Sequence, residues 1–517
     1  MKPYLLFEQY KEDPYHKIPN EKDLAEDLNL TAVFRAMAQS DNFIFQTAKY
    51  VILSSLSDID AIGYRQNVLK DCLNNQSVIG SLYGIAENTL EEAAFYKQST
   101  QPRFSRVVTV SYKLRNAAGL AAILVAGLET LRNETHRYGI NFNSKGLTTF
   151  CRQQETLLTD DFFTNVKKHI SDLNFISEGG RIIIGSSIGK GLKGTGHILR
   201  SISNRADHKS SREENRSRQS GTILLNSISI ANNAKEVEEA GLVHILRLLN
   251  RFNESVLNFF EQLHFETGFY IGCINLYNTV KGLGAAVSFP IPDEIDKRSL
   301  NFKGLYDLSL LLNERKRPVN NDLNTCDTCL YIITGSNQGG KSTYLRSIGI
   351  AQLLMQCGMF VPASHYRANI SENIFTYFTR EEDESMNSGK LEEELKRLNE
   401  IVGIACRNSL IIMNEPFATT TERDGSKIAQ DVVTAFYELN VKTLVVTHLY
   451  EFANLMFGQE LQKALFLRAE RSEDGSRTFY IKEGKPLITS YGEDLFNTVI
   501  GVSSEEHAKE GSSSMTV

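Results

Sequence analysis

The hydrophobic pattern changes character three times along the chain. From residue 25 to about 175 apolar residues recur at three-to-four spacing, as in Leu157, Leu158, Phe162, Phe163, Val166, Ile170 and Leu173, and Gly and Pro are sparse. Such spacing lays one apolar stripe along a helix, so this stretch is predicted to be helical with one face buried. Between residues 176 and 235 the texture differs: seven glycines between Gly179 and Gly196, and short β-branched runs at 181–184 and 222–225. A small β-rich insertion with loops is the expected result. From Glu236 helical spacing returns with Leu242, Ile245, Leu246, Leu249, Phe252, Val256, Phe259, Phe260 and Leu263. One long helix leading out, a β tip and a long helix leading back fit this order, and each helical residue adds about 1.5 Å of reach. After residue 300 strand, loop and helix alternate, the pattern of a parallel α/β sheet. Residues 330–334, 410–413 and 442–447 read as buried strands, and chemistry is expected at their C-terminal ends.

At 517 residues the chain is several ordinary domains long. With 41% apolar and 23% charged residues it has the make-up of a folded globular protein, which excludes a disordered chain. The net charge of -6 means that any nucleic acid contact must come from a local basic patch. Seven cysteines are scattered without paired spacing, which suits a reducing cytoplasm, and Cys326 and Cys329 form a lone CxxC. The N-terminus does not read as a secretory leader, and the longest apolar run, 117–128, is shorter than the ~20 residues of a membrane span. No membrane segment is expected. The Ser-rich stretch 503–517 is expected to be a disordered tail.

The strand at 330–334 runs into Gly335, Ser336, Asn337, Gln338, Gly339, Gly340, Lys341 and Ser342, followed by an apolar helical segment. This is GxxxxGK[ST] in its proper context, between strand and helix. The glycines let backbone N–H groups face phosphate, Lys341 can neutralise β and γ oxygens of ATP, and Ser342 can ligate Mg²⁺. The second strand ends at Asn414 and Glu415. Glu415 can orient the attacking water; the position of Asn414, which in P-loop ATPases steadies the metal, here carries an amide without charge. The third strand ends at His448, which can sense the γ-phosphate if the three strands are neighbours, and is otherwise a structural histidine.

TGSNQGGKSTYLR, GMFVPA, SLIIMNEPFATTTERDGSKIA and VVTHLYEF resemble, in order and spacing, the ATPase domain of MutS-type DNA mismatch repair proteins. The resemblance covers residues 300 to 500. It implies a multidomain fold: a helical core at 1–110, lever helices at 111–175 and 236–300, a β-rich clamp-like tip at 176–235 and a P-loop ATPase domain at 301–502. It places Asn337, Lys341, Ser342, Thr343, Glu415 and His448 on family motif positions. Val319 and Asn321 fall where the family contacts adenine, and Asp424 and Gly425 on a loop that meets the partner subunit. The family completes each ATP site with a serine of the opposite subunit; Ser388 matches it, and is also a good helix N-cap. Asn414 departs from the family's Asp, implying slow hydrolysis. The mismatch-reading and connector domains and the C-terminal nuclease module of relatives are not found in these 517 residues.

From Arg181 to Arg218 there are nine basic against three acidic residues. Lys190, Lys193, Arg200, Arg205, Arg212, Arg216 and Arg218 are the candidate phosphate contacts, giving shape-directed, salt-dependent binding. A solvated loop is the plainer reading of the same charges. The expectation is therefore a cytoplasmic, homodimeric ATPase that clamps duplex or branched DNA with ATP and Mg²⁺. A weakly hydrolysing ATP-binding scaffold and an RNA- or ribosome-directed ATPase are the alternatives.

Overall fold

The computed structural model describes residues 2–9, 18–101, 109–138, 142–177, 181–188, 194–203, 228–336, 338–379, 389–472 and 477–486. Helices α1 (Glu21–Asp27), α2 (Leu30–Ala38), α3 (Asn42–Ile52) and α4 (Ile59–Asn74) are followed by α5 (Gln76–Ser99), α6 (Val110–Tyr138), α7 (Lys145–Leu157) and α8 (Asp160–Ser177). Strands β1 (Arg181–Ile188) and β2 (Gly194–Ser203) pair antiparallel. They precede α9 (Ile228–Gly282), 55 residues long, or about 80 Å at 1.5 Å per residue. This helix begins ahead of Lys235, so the β-rich region ends sooner than its composition implied.

The chain divides into two compact units, one of residues 1–9 and 70–271, the other of 10–69 and 272–517. The sequence reading grouped residues 1–110 as one helical core. Side chains instead tie 18–69 into the second unit: the fully buried Arg65 donates from Nη1 to the Cys357 carbonyl at 3.1 Å, and Gln356 Nε2 donates to Ser55 Oγ at 2.7 Å. A buried guanidinium requires such partners.

In the first unit α6 packs on α5 and α8. Leu114 and Ala118 of α6 join Leu173 of α8 and Leu242 of α9 in one apolar cluster. The stretch Val110–Arg137 is long and apolar enough by composition to cross a membrane, which the shorter run 117–128 did not reveal; half of it is buried. Residues 2–9 are held by α9, where Glu266 Oε2 accepts the Leu5 and Leu6 N–H groups at 2.6 and 3.3 Å. Burial raises that carboxyl to about 8 against the pull of these two bonds.

The second unit holds two sheets. In the larger, the order is β12-β11-β6-β10-β9-β8. Its strands are β6 (Leu330–Thr334), β8 (Ile374–Phe378), β9 (Leu410–Asn414), β10 (Lys442–Val446), β11 (Ala464–Arg471) and β12 (Arg477–Glu483). All neighbours run parallel except β12 on β11. Strands β6, β8 and β10 are buried along their whole length, which is why they read as nearly unbroken apolar runs. The smaller sheet, ordered β3-β7-β4-β5, contains β3 (Ile291–Asp293), β4 (Leu300–Leu305), β5 (Asn321–Thr325) and β7 (His365–Asn369). Lys442, buried at the start of β10, joins the sheets by donating to the Ser299 carbonyl at 2.9 Å and to Asn369. Burial lowers its pKa to about 7. The remaining helices are α10 (Leu308–Glu314), α11 (Lys341–Gln356), α12 (Lys390–Ile404), α13 (Glu422–Glu438) and α14 (Tyr450–Gly458).

Helix α11 lies against the sheet because Gly349 has no side chain: a β-carbon there would stand 2.7 Å from Leu28 Cδ2 and 3.0 Å from Ile412 Cδ1. Gly349→Val is therefore expected to destabilise the second unit by about 1–3 kcal/mol through overpacking. Urea denaturation checks this, and an unchanged midpoint would mean that the helix has room to retreat.

Candidate nucleotide site

The order β6-β10-β9 brings three strand ends together: Val446 is level with both Ile333 and Asn414, so whatever follows each strand emerges on one edge. After β6 the chain turns through Gly335 (φ +130°) and Gly340 (φ +87°) before α11 starts at Lys341. Side chains other than glycine resist these angles. The hairpin β11–β12 lies over the turn: a β-carbon on Gly335 or Gly339 would meet Ala469 Cβ at 2.8 or 2.9 Å. Arg477 Nη1 donates to Gln338 Oε1 at 2.6 Å. The loop is therefore braced from above by a strand more than a hundred residues away in sequence.

Lys341 is buried and donates from Nζ to the Gly335 carbonyl at 2.7 Å and the Ser336 carbonyl at 3.4 Å. Its Nζ stands 3.6 Å from Glu415 Oε1. Burial lowers the lysine pKa, and the Glu415 charge partly restores it. Ser342 Oγ donates to Asn414 Oδ1 at 2.7 Å. Glu415 sits in the left-handed region at φ +51°. Its N–H donates to the Val446 carbonyl at 2.8 Å, and its carbonyl accepts from Thr379 Oγ1 at 2.5 Å. Its carboxylate lies 2.6 Å from His448 Nδ1 and accepts the His448 N–H at 2.9 Å. Burial pushes the Glu415 pKa up, but the His448 hydrogen bond and the Lys341 charge outweigh it, so the group is held below the usual carboxylate range. The same hydrogen bond raises His448 against its own desolvation.

A cavity of about 510 Å³ opens at this edge, with Gln338, Gly339, Lys341, Ser342, Thr343 and Glu415 at one end and Val319 and Asn321 among its other walls. That size is ordinary for a small-molecule site. Asn321 uses its amide on β12, accepting from the Ile481 N–H at 2.8 Å and donating to the Phe479 carbonyl at 3.4 Å. Nine of the lining residues were not expected from the sequence, Arg317 and Phe479 among them. Phe479 (φ +60°) packs beside Gly340, yet RTFYIKE reads only as an edge strand and carries no signal of this. Asp424 and Gly425, expected on a partner-facing loop, lie in the first turn of α13, where Thr421 Oγ1 accepts the Asp424 N–H at 3.2 Å. Cys326 is exposed, whereas Cys329 is buried with Sγ toward the Lys463 carbonyl. Asn337, Ser388, Lys190, Lys193, Arg205, Arg212, Arg216 and Arg218 lie outside the described residues, and Arg200 lies on β2, described by its backbone.

Residues 57–283 match the MutS2 N-terminal domain and residues 331–502 match MutS domain V, an ATPase domain. The chain belongs to the MutS family. The DNA mismatch repair protein MutS of Streptococcus pneumoniae (strain Hungary19A-6) is 32% identical over 169 residues, which is 32% of this chain and 20% of that protein. HexA of S. pneumoniae (strain ATCC BAA-255 / R6), also named a DNA mismatch repair protein, gives the same figures of 32% identity over 169 residues, 32% of this chain and 20% of its own. MutS of Fervidobacterium nodosum is 33% identical over 159 residues, 30% of this chain and 19% of that protein. The chain thus spans about a fifth of the length of the curated relatives it matches. Among MutS features, the P-loop and the two strand-end residues Glu415 and His448 fall inside the domain V match.

The His448–Glu415 bond makes a pH test available. In His448→Ala the burial that pushes Glu415 upward is less opposed, so its pKa rises. If the ionised carboxylate is the working form, the acid limb of the pH–kcat profile for ATP turnover shifts to higher pH and kcat falls. An acid limb at the wild-type position would show that His448 does not tune Glu415.

Proposed function

We propose that this chain is an ATP-dependent DNA-binding protein of the MutS type, a homodimer whose grip on duplex or branched DNA is switched by ATP binding and hydrolysis. The observation that carries the reading is the meeting of Lys341 and Glu415 on the wall of one cavity, with His448 bonded to Glu415 behind them. The backbone N–H groups of residues 335–340 and Lys341 bind the triphosphate, with Val319 and Asn321 on the base side. Glu415, with Lys341 and His448 fixing its carboxylate, orients water toward the γ-phosphate and takes its proton. The donors present fit Mg²⁺: Ser342 Oγ and Asn414 Oδ1 stand 2.7 Å apart, and this ion binds through few protein oxygens together with phosphates. When bound it would neutralise phosphate charge. Among the described residues no group of three or more His, Cys, Asp or Glu is gathered to hold a metal unaided. Ser388 of the opposite subunit completes the site, and the exposed Asp424 faces that subunit, with Gly425 beside it buried in its own chain.

Residues 301–502, joined by 18–69, act as the ATPase head, and 70–110 belong to the helical core. The segments 111–175 and 228–282 are levers to a clamp-like tip that includes the β1–β2 ribbon, and the protein acts in the cytoplasm. The 55-residue length of α9 supports a lever, and the β1–β2 ribbon ahead of it supports a tip. A second reading, a scaffold that binds ATP with little turnover, is favoured by Asn414, whose amide supplies no charge to the metal; measured turnover decides between them.

DNA affinity of the wild type is expected to change with ATP, and log K to fall by about 0.9 per phosphate neutralised as log salt rises. Reversing Lys190, Lys193, Arg212, Arg216 and Arg218 should flatten that slope and abolish DNA stimulation of turnover while basal turnover persists. Binding and stimulation that survive deletion of 186–220 would remove the tip from the mechanism.

A further inference from the structure

The wall of the nucleotide cavity is also the support for the end of the long helix. Arg317, Pro318 and Val319 follow α10 and line the cavity. Arg317 and residues 272–282 of α9 lie in the same unit. Helix α9 closes in a glycine turn: the Ala285 N–H donates to the Val280 carbonyl at 3.2 Å, the Gly284 N–H to the Lys281 carbonyl at 2.9 Å, and Gly284 takes φ +69°. This arrangement satisfies two of the carbonyls that a helix leaves unpaired at its C-terminus and passes over the one on the capping residue. That residue is Leu283, and its carbonyl accepts from Arg317 Nε at 3.3 Å. The guanidinium lies against the turn so closely that a β-carbon on Gly284 would collide with Nη2. Among the described residues Arg317 has no carboxylate at ion-pair distance, and its nearest assigned partner is this carbonyl.

We propose that Arg317 is a nucleotide-contacting residue that ties occupancy of the cavity to the C-terminal end of α9. The inference rests on the reading of this cavity as a nucleoside triphosphate site. A guanidinium is a rigid planar fork of five N–H donors. Fixing Nε on Leu283, with Nη2 packed on Gly284, therefore sets the plane of the whole group and leaves Nη1 for a ligand. Pro318 and Val319 are its chain neighbours on the apolar wall, so the fork serves the base end of the ligand, where a flat cation can stack on or hydrogen-bond to a purine. Ligand and helix end use different nitrogens of one rigid group. Each contact pre-orients the other, and the coupling is reciprocal: a nucleotide that engages Nη1 tightens the seat on Leu283, and a loosened turn weakens the nucleotide. The occupancy signal thus enters α9 at its last turn rather than through the P-loop helix.

The test uses full-length protein, a fluorescent ATP derivative labelled on the ribose, and hydrogen exchange of the amides of residues 280–285. Arg317→Ala is expected to weaken binding about tenfold and to abolish the slowing of exchange that ATP causes at the helix end in the wild type. Gly284→Ala supplies the decisive arm, because Gly284 is not part of the cavity wall: it is expected to weaken ATP binding severalfold by displacing the guanidinium. Arg317→Lys, with charge but no fork, should not restore either property. Thermal melts of each variant separate these effects from unfolding. Wild-type ATP affinity in both Arg317→Ala and Gly284→Ala, with Lys341→Ala unable to bind, overturns the inference and leaves the nucleotide reading in place. Exchange at 280–285 that ignores ATP in the wild type overturns the link to α9. A wild type that binds no ATP overturns both.

Discussion

A carboxylate withdrawn from water must be compensated, and most of the candidate site follows from how Glu415 is compensated. Its side chain is 21% exposed, so an unpartnered charge there would drive the group toward its neutral form. Lys341 and His448 prevent this from opposite sides of the carboxylate. Neither could reach it if β10 did not lie between β6 and β9. The sheet order is thus an electrostatic requirement as much as a topological one: Lys341, Glu415 and His448 come from three separate chain segments and share one charge balance. The backbone participates too. The left-handed angle at Glu415 carries strain of order 1 kcal/mol or more, and the Thr379 hydroxyl and the Val446 carbonyl hold it there.

Close approach is the second constraint. Glycines in the P-loop serve phosphate in the usual account, yet Gly335 and Gly339 also clear space for Ala469, and Gly349 clears space for Leu28 and Ile412. The loop is held between the sheet edge and the β11–β12 hairpin, which also brings Phe479 to the cavity. A rigid seat of this kind lowers the ordering cost of binding a flexible ligand.

How much of this was legible in the sequence depends on distance along the chain. The P-loop could be read because its residues are contiguous and each has a local task. The meeting of Glu415 and His448 on one edge could be read because each follows the end of a strand in a parallel sheet. Phe479, Arg317 and the Arg477–Gln338 bond could not, since each acts across more than twenty residues and has no local pattern to betray it. The pairing of 18–69 with the second unit was likewise invisible: Arg65 looks like any surface arginine until Cys357 is placed beside it. The boundary near residue 235 was misread because ISIANNAKEVEE mixes β-branched and helix-forming residues, and tertiary context chose the helix. Helix α6 is longer than its apolar run because polar residues extend it at both ends.

The central claim is that Glu415 does chemistry rather than merely holding Lys341 and His448. Glu415→Gln keeps the shape and the hydrogen-bonding oxygen but removes the charge that accepts a proton. Phosphate release measured alongside ATP affinity on the same sample is the direct test. The expected result is ATP affinity within a few-fold of wild type and turnover reduced at least about a hundredfold, the scale of general-base loss. Turnover at the wild-type rate in Glu415→Gln would contradict the account.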